Sequence, residues 1–370
     1  MKNLIIVLCV LIISSIQLLS QQVEDVMINR FWSFYSDNFL NAVSSGKGNT
    51  GTAGLGDMSS IILNPASLNI PGKYSASVQY TYKTNQPWLE FLGLDDLYLR
   101  QNMFSGSAGF GYRINKNFQT GFLYSNPHSL TLNIGTIIIT NEFGEEIGRY
   151  DGNEKYVLHS FSVPLVYNIK WFRAGVILNY SLHRRYMSMG DSDYTGKFDR
   201  FNIQAGIIVN PIKELSIGAS FTPGDSGAVE NSYPSIASEE TTQAEIPFRI
   251  SAGAEYTVKG NIVKLAADYI YTNLSSREGL KDRHEIHFGF EYFVNKNWTV
   301  RSGFFNITDP RELPGNYGNP QDNYDQIFLT IGATYKIKEF EGSIGIMDSH
   351  ISPGVLKNTF INGGVTFNFK

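Results

Sequence analysis

The run Lys170-Trp171-Phe172-Arg173-Ala174-Gly175-Val176-Ile177-Leu178-Asn179-Tyr180-Ser181-Leu182-His183 decides the fold. From Phe172 onward, Phe172, Ala174, Val176, Leu178, Tyr180 and Leu182 alternate with Arg173, Gly175, Ile177, Asn179, Ser181 and His183. A strand turns successive side chains to opposite faces, so this period of two predicts a strand with one apolar face. Lys170-Trp171 ahead of it leaves room only for a tight turn from a preceding strand. The pattern recurs in Ser105–Ile114, where Ala108, Phe110, Tyr112 and Ile114 oppose Ser107, Gly109, Gly111 and Arg113. It recurs again in His284–Val294, where Ile286, Phe288, Phe290, Tyr292 and Val294 oppose Glu285, His287, Gly289 and Glu291.

Soluble sandwiches alternate too, and the spacing of the connections separates the two cases. The pattern predicts fourteen strands, at about 74–82, 104–114, 118–140, 155–169, 172–184, 198–211, 215–221, 244–258, 262–272, 283–294, 298–307, 326–337, 340–348 and 356–369. Tight polar turns fall at Asn115-Lys116-Asn117, Lys170-Trp171, Ile212-Lys213-Glu214, Gly260-Asn261, Asn295-Lys296-Asn297 and Lys338-Glu339. Between them lie longer polar loops at 83–103, 141–154, 185–197, 222–243, 273–282, 308–325 and 349–355. Short turns at one end and long loops at the other are how outer-membrane barrels are built, and an even strand number brings both termini to the short-turn, periplasmic end. The expected fold is therefore all-β: a transmembrane antiparallel β-barrel of about fourteen strands.

Composition agrees. The 370 residues are 17% charged and 14% aromatic, with 35 glycines and a formal net charge of −4. Soluble domains carry about 25% charged residues. A mean hydropathy of −0.16 excludes a helical membrane bundle, which needs repeated apolar runs of about 20 residues. The charge balance gives no footprint for nucleic acid. Tyr80, Tyr82, Tyr112, Trp171, Tyr180, Tyr269, Tyr271, Tyr292, Trp298 and Tyr335 lie near strand ends, where aromatic girdles meet lipid headgroups. The final run Val365-Thr366-Phe367-Asn368-Phe369-Lys370 looks like the terminal strand that barrel-assembly machinery reads, with its aromatic in the penultimate place.

Residues 1–20 read as a signal peptide, with Lys2 as the positive start, Leu4–Ile13 as the apolar core and Ser14–Ser20 as the exit. Cys9, the single cysteine, would leave with it, so neither thiol chemistry nor disulfides enter the expectation. Residues 21–73 lack alternation, contain the amphipathic stretch Val26–Phe39, and precede the barrel of residues 74–370. Eight strands can fill their own interior, whereas sixteen leave an aqueous channel, so fourteen enclose a lumen that leaks unless occupied. The expectation is that residues 21–73 fold into it as a plug. The alternative is a solvated periplasmic tail, against which Phe31, Trp32, Phe34, Tyr35, Phe39 and Ile61–Leu63 argue by their apolarity.

The run Gly48-Asn49-Thr50-Gly51-Thr52-Ala53-Gly54-Leu55-Gly56-Asp57, followed by Ile61-Ile62-Leu63-Asn64-Pro65-Ala66-Ser67-Leu68, resembles the start of FadL-type long-chain fatty acid transporters. The resemblance implies that Gly51, Gly54, Gly56, Asn64, Pro65 and Ala66 belong to an N-terminal hatch just before the first strand. It implies passive uptake of hydrophobic small molecules across the outer membrane of a Gram-negative-type envelope, without cofactor. The barrel-forming shuttle proteins of type IX secretion have a similar glycine-rich, Asn-Pro-Ala-containing start, and the rival reading makes secreted proteins the partners.

Two further groups of residues follow from the transport reading. Proline cannot donate to a strand ladder, so Asn126-Pro127 within the third strand marks a kink and a candidate lateral opening, as the family resemblance also implies; alternatively residues 125–130 form a turn. Pro164 in the fourth strand would widen the same defect. On the expected register Arg113, Arg173, Arg249 and Arg301 face the lumen and are candidate contacts for a ligand headgroup or the plug, because a guanidinium donates two bonds to a carboxylate. Lys264, Lys336, Asp268, Glu255, Glu285, Glu291 and His287 share that face.

Other motifs lack their context. Gly46-Lys47-Gly48-Asn49-Thr50-Gly51 fits a dinucleotide pattern with no βαβ unit around it. His284 and His287 fall on opposite faces of a strand and cannot share a metal. Asp191-Ser192-Asp193, and Asp309 with Asp322 and Asp325, read as solvated loop acids, and no nucleophile motif such as Gly-x-Ser-x-Gly is present, so an enzyme is not expected.

Overall fold

The computed structural model describes residues 39–83, 100–141, 146–189, 192–233, 238–258, 260, 262–276, 280–311, 323, 325–354 and 357–369. The expected signal peptide, all of Val26–Phe39 except Phe39, most of the 83–103 loop, Asp191 and Asp322 lie outside the described residues. Among the described residues no helix is long and apolar enough to cross a membrane.

Sixteen strands form one antiparallel sheet. They are β1 Tyr74–Lys83, β2 Arg100–Arg113, β3 Phe118–Thr140, β4 Glu146–Ile169, β5 Phe172–Met189, β6 Ser192–Ile212, β7 Leu215–Thr222 and β8 Asp225–Tyr233, then β9 Ser238–Ile246, β10 Arg249–Thr257, β11 Val263–Thr272, β12 Arg283–Phe293, β13 Trp298–Ile307, β14 Gln326–Ile337, β15 Phe340–Asp348 and β16 Thr359–Phe369. Their order is β5-β4-β3-β2-β1-β16-β15-β14-β13-β12-β11-β10-β7-β6-β8-β9, and a β5–β6 pairing closes the ring. β8 and β9 stand outside that ring, so the closed barrel has fourteen strands. First and last meet directly, with Tyr74 opposite Phe369 and Lys83 opposite Phe360.

Inside and outside are inverted relative to a soluble protein. On β1, Ser75, Ser77, Gln79 and Thr81 are buried while Val78, Tyr80 and Tyr82 are exposed. On β14 Ile331 is 62% exposed, and Trp171 at the β4–β5 turn is 58% exposed. A continuous exposed apolar surface on a closed barrel is stable only in contact with hydrocarbon, where the closed ladder leaves no edge unsatisfied. Of the aromatic residues expected near strand ends, Trp298 packs on Tyr335 across β13 and β14, and Tyr112 on Tyr74 across β1 and β2.

The tight turns among the described residues sit together at one end, and two share one mechanism; Asn261 of the expected Gly260-Asn261 turn lies outside the described residues. Asn115 Oδ1 accepts from the N–H groups of Asn117 and Phe118, and Asn295 Oδ1 does the same for Asn297 and Trp298. The short asparagine side chain thus satisfies amides that the turn takes out of the ladder.

The loop end departs from expectation in two ways. β3 to β6 run 23, 24, 18 and 21 residues, well past the 9–11 that cross a bilayer, so most of the expected 141–154 and 185–197 loops are strand. A ladder needs backbone partners rather than an apolar face, so pairing continues after the apolar alternation stops. The expected strand 244–258 is two: β9 ends at Ile246, Pro247-Phe248 breaks the ladder, and β10 begins at Arg249. Proline has no N–H and pushes its predecessor out of register. The expected 222–243 loop is the β8–β9 hairpin, which touches the ring through Thr195–Lys197 of β6.

Candidate functional site

Between Phe39 and Ile70 the chain packs against inward-facing residues of the strands, with Met58, Ile61, Asn64, Ala66, Leu68 and Ile70 fully buried. This segment carries a one-turn helix, Ala42–Ser45, and two 3-10 turns, Met58–Ile62 and Pro65–Ser67. Asn64 begins the last of these: its Oδ1 accepts from Ala66 N–H at 2.9 Å, and Pro65 at the first helical position has no amide to satisfy. Its Nδ2 faces three carbonyls, Thr52 at 2.6 Å, Ile207 at 3.1 Å and Ala219 at 3.3 Å, which tie the motif to β6 and β7. Gly51 and Thr52 donate their backbone N–H groups to Asp268 Oδ2 at 2.7 and 2.9 Å. Gly56 pairs the two arms of the segment, donating to Ser67 O and accepting from Asn69 N–H. A Cβ on Gly54 would lie 3.3 Å from Glu255.

The wall is shaped to receive this segment by glycines placed opposite one another. Gly175 pairs with Gly206, Gly218 with Gly253, Gly289 with Gly303, and Gly332 with Gly345. A Cβ would strike Pro65 from Gly175 at 2.3 Å, Asn64 Oδ1 from Gly206 at 2.0 Å, Thr52 O from Gly218 at 2.1 Å and Lys47 O from Gly289 at 2.4 Å. On the remaining side Gly111 faces Gly121, and both would meet Met58. There Met58, Ile61, Leu68 and Ile70 pack with Leu123, Val166 and Ile177 of β3, β4 and β5 in a buried apolar cluster. Phe39 at the other edge packs on Phe305, Phe328 and Phe360, with ring centroids 5.0–6.1 Å apart.

The four sequence-selected arginines separate into different roles. Arg113 donates to Ile70 O, and Arg173 to Ala66 O and Leu68 O, so both hold backbone carbonyls of the lumenal segment. Arg301 bonds Glu291 and Thr334. Beside it Glu255 joins Lys47 of the segment and Lys264 of β11, each at 3.0 Å. Lys336, Glu341 and Asp57 complete the lining of this turn-side part of the lumen, which is strongly ionic.

Arg249 lies elsewhere, in a cavity on the loop side of the segment. Ile61 and Ile62 form part of its lining from the segment, Pro127, Leu158 and Ile177 contribute apolar wall, and Arg200, Arg249 and Arg283 stand around it. Strand pairing sets this arrangement: Arg249 is opposite Thr272, which is opposite Arg283, so the three share one face and one level. Arg200 and Arg283 were not singled out from the sequence, although both fall on the inward parity of their strands.

At Asn126-Pro127 β3 continues through as strand but slips against both neighbours. Against β4, Ser125 pairs with Ser160 and His128 with Leu158, so two residues oppose one, and against β2 the register shifts between Met103 and Gly106. This is a β-bulge, the usual home of a strand proline. Pro127 lines the cavity at this break. Pro164 does not extend it: the β3–β4 register is the same on either side, from Thr120–Leu165 to Leu123–Ser162.

His287 is buried against Gly48 O and Glu285, whereas His284 is outside against Tyr269. Among the described residues no three metal-ligating side chains converge.

No family model matches the sequence, and no curated protein does. Solved structures do. A FadL homologue of Pseudomonas aeruginosa aligns at TM-score 0.62 and 13% identity over 90% of this chain and 98% of that one. The toluene transporter TodX of Pseudomonas putida aligns at 0.66 and 11% over 90% and 99%. The toluene transporter TbuX of Ralstonia pickettii aligns at 0.62 and 13% over 89% and 98%. Taken with the lumenal segment and the exposed apolar wall, these likenesses give this chain the fold of the FadL-type outer-membrane transporters.

Proposed function

We propose that the protein is a passive outer-membrane channel for hydrophobic small molecules of the long-chain fatty acid type. Residues 21–73 act as its hatch, and the β3 bulge at Asn126-Pro127 acts as its side exit. One observation carries the reading: a single cavity is bounded by the lumenal segment at Ile61 and Ile62 and by Pro127 at the wall break. Straight passage would take an apolar molecule through the ionic region around Lys47, Glu255, Glu291 and Arg301, where burying hydrocarbon gains nothing. Leaving sideways avoids that ionic region and passes the apolar side chains of Ile61, Ile62, Pro127 and Leu158. The structural neighbours include toluene transporters and a FadL homologue, which supports apolar cargo.

Uptake of a labelled long-chain fatty acid by cells producing the protein tests the exit. Pro127→Val would restore an N–H and let the ladder close, so uptake should fall several-fold at equal outer-membrane abundance. Unchanged uptake would remove the lateral route.

A further inference from the structure

We infer that the cavity holds an amphiphile whose acidic head also carries a hydroxyl group, and that either Thr272, on β11, or Asn202, across the cavity on β6, pairs with that hydroxyl. The inference rests on the channel reading above and deepens it. One group of polar side chains lining this space satisfies itself: Ser160 and Ser162 donate to Asn179 Oδ1 at 2.7 and 2.8 Å, and Asn179 Nδ2 donates to Ser181 at 2.9 Å. Asn202 and Thr272 are different. Asn202 Oδ1 and Thr272 Oγ1 are buried with no hydrogen-bond partner, in residues only 8% and 4% exposed, and both residues line the cavity.

Their neighbours say what kind of molecule would answer them. Thr272 stands between Arg249 and Arg283 across the β10–β11–β12 ladder. Asn202 lies two positions from Arg200 on the same buried face of β6. Each orphaned group is thus next to a guanidinium; Arg283 pairs with Glu285 at 2.8 Å and Arg200 with Asp225 at 3.2 Å, and the three arginines outnumber these two carboxylates, which favours an acidic head. A hydroxyl is both donor and acceptor, so one close to the carboxylate can serve either an amide or a threonine. A plain fatty acid would engage the arginines and leave both groups unpaired. A buried polar group without a partner is penalised, which makes roughly tenfold a reasonable scale for the preference.

The test is calorimetric titration of the full-length protein in detergent micelles with dodecanoate, β-hydroxydodecanoate and dodecane. The hydroxy acid should bind about tenfold more tightly than dodecanoate. One of Asn202→Leu and Thr272→Val should shrink that difference while both leave dodecanoate affinity within about twofold, and Thr272→Ser should retain it. Heat-modifiable migration in gels confirms that each variant is a folded barrel. Equal binding of the two acids, or an undiminished preference in both variants, overturns this inference alone. Failure of all three probes to bind would take the channel reading down with it.

Discussion

Asn64 shows how one side chain organises a lumen. Its oxygen caps Ala66 while its nitrogen serves carbonyls from the segment itself, from β6 and from β7. Asn64→Ala leaves Thr52 O without this donor and Ala66 N–H without its acceptor, at a cost of about 1–3 kcal/mol for each that stays buried. The segment should loosen, seen as faster proteolysis within residues 39–73 and higher ion conductance in planar bilayers. Gly206→Ala should do the same from the wall, because its Cβ would fall 2.0 Å from Asn64 Oδ1. Gly363→Ala, which meets nothing within 4 Å, should leave conductance unchanged. The importance of Asn64 was legible from its motif. The wall glycines were legible only as alternating small residues, because their reason for being small lies more than fifty residues away in the chain.

Among the elements, β3 and the β8–β9 hairpin depart furthest from a regular barrel. The bulge in β3 was foreshadowed by Pro127, since a proline in a long strand forces a local accommodation whatever its neighbours are. That it borders the cavity depends on where Ile61 and Ile62 sit, which local sequence does not specify. The hairpin was read as loop because its residues do not alternate in hydropathy, and it is held by backbone pairing instead. Replacing residues 226–245 by a short turn should leave a barrel that still migrates as folded in unheated gels, because among the described residues the hairpin's ladder to the ring spans only three β6 residues, with side-chain contacts from Tyr194, Phe198 and Arg200 beside it. Ligand affinity should change, since Ile246, Pro247 and Arg249 beside the deletion line the cavity. Loss of heat-modifiable folding would show that the hairpin is part of the closed wall.

At the scale of the whole molecule, the outward apolar surface makes the bilayer part of the fold. Ile331, in the middle of β14 and facing out, should tolerate arginine poorly: Ile331→Arg should cost about 2–4 kcal/mol in reversible folding into lipid vesicles. Ile337, the outward residue at the turn end of the same strand, should cost about 0–1 kcal/mol when changed to arginine, because its charge reaches the headgroups. A comparable penalty at both positions would contradict a membrane running across β14. The protein should also require detergent for extraction, and a water-soluble monomer would refute the barrel's orientation towards lipid.

The amino-acid sequence alone determined the strand parity, the six tight turns, the fourteen-strand ring and the presence of a special N-terminal segment. These depend on neighbours one or two residues apart, on turn chemistry, and on the requirement that a closed barrel show hydrocarbon to lipid. Only the tertiary structure decided which arginines grip the segment and which surround the cavity. It also decided which glycines make room for the segment, and that Asn202 and Thr272 are left without partners. Each of those outcomes is set by the stagger between strands and by the path of residues 39–73 through the lumen, and both are properties of the closed ring rather than of any stretch of chain.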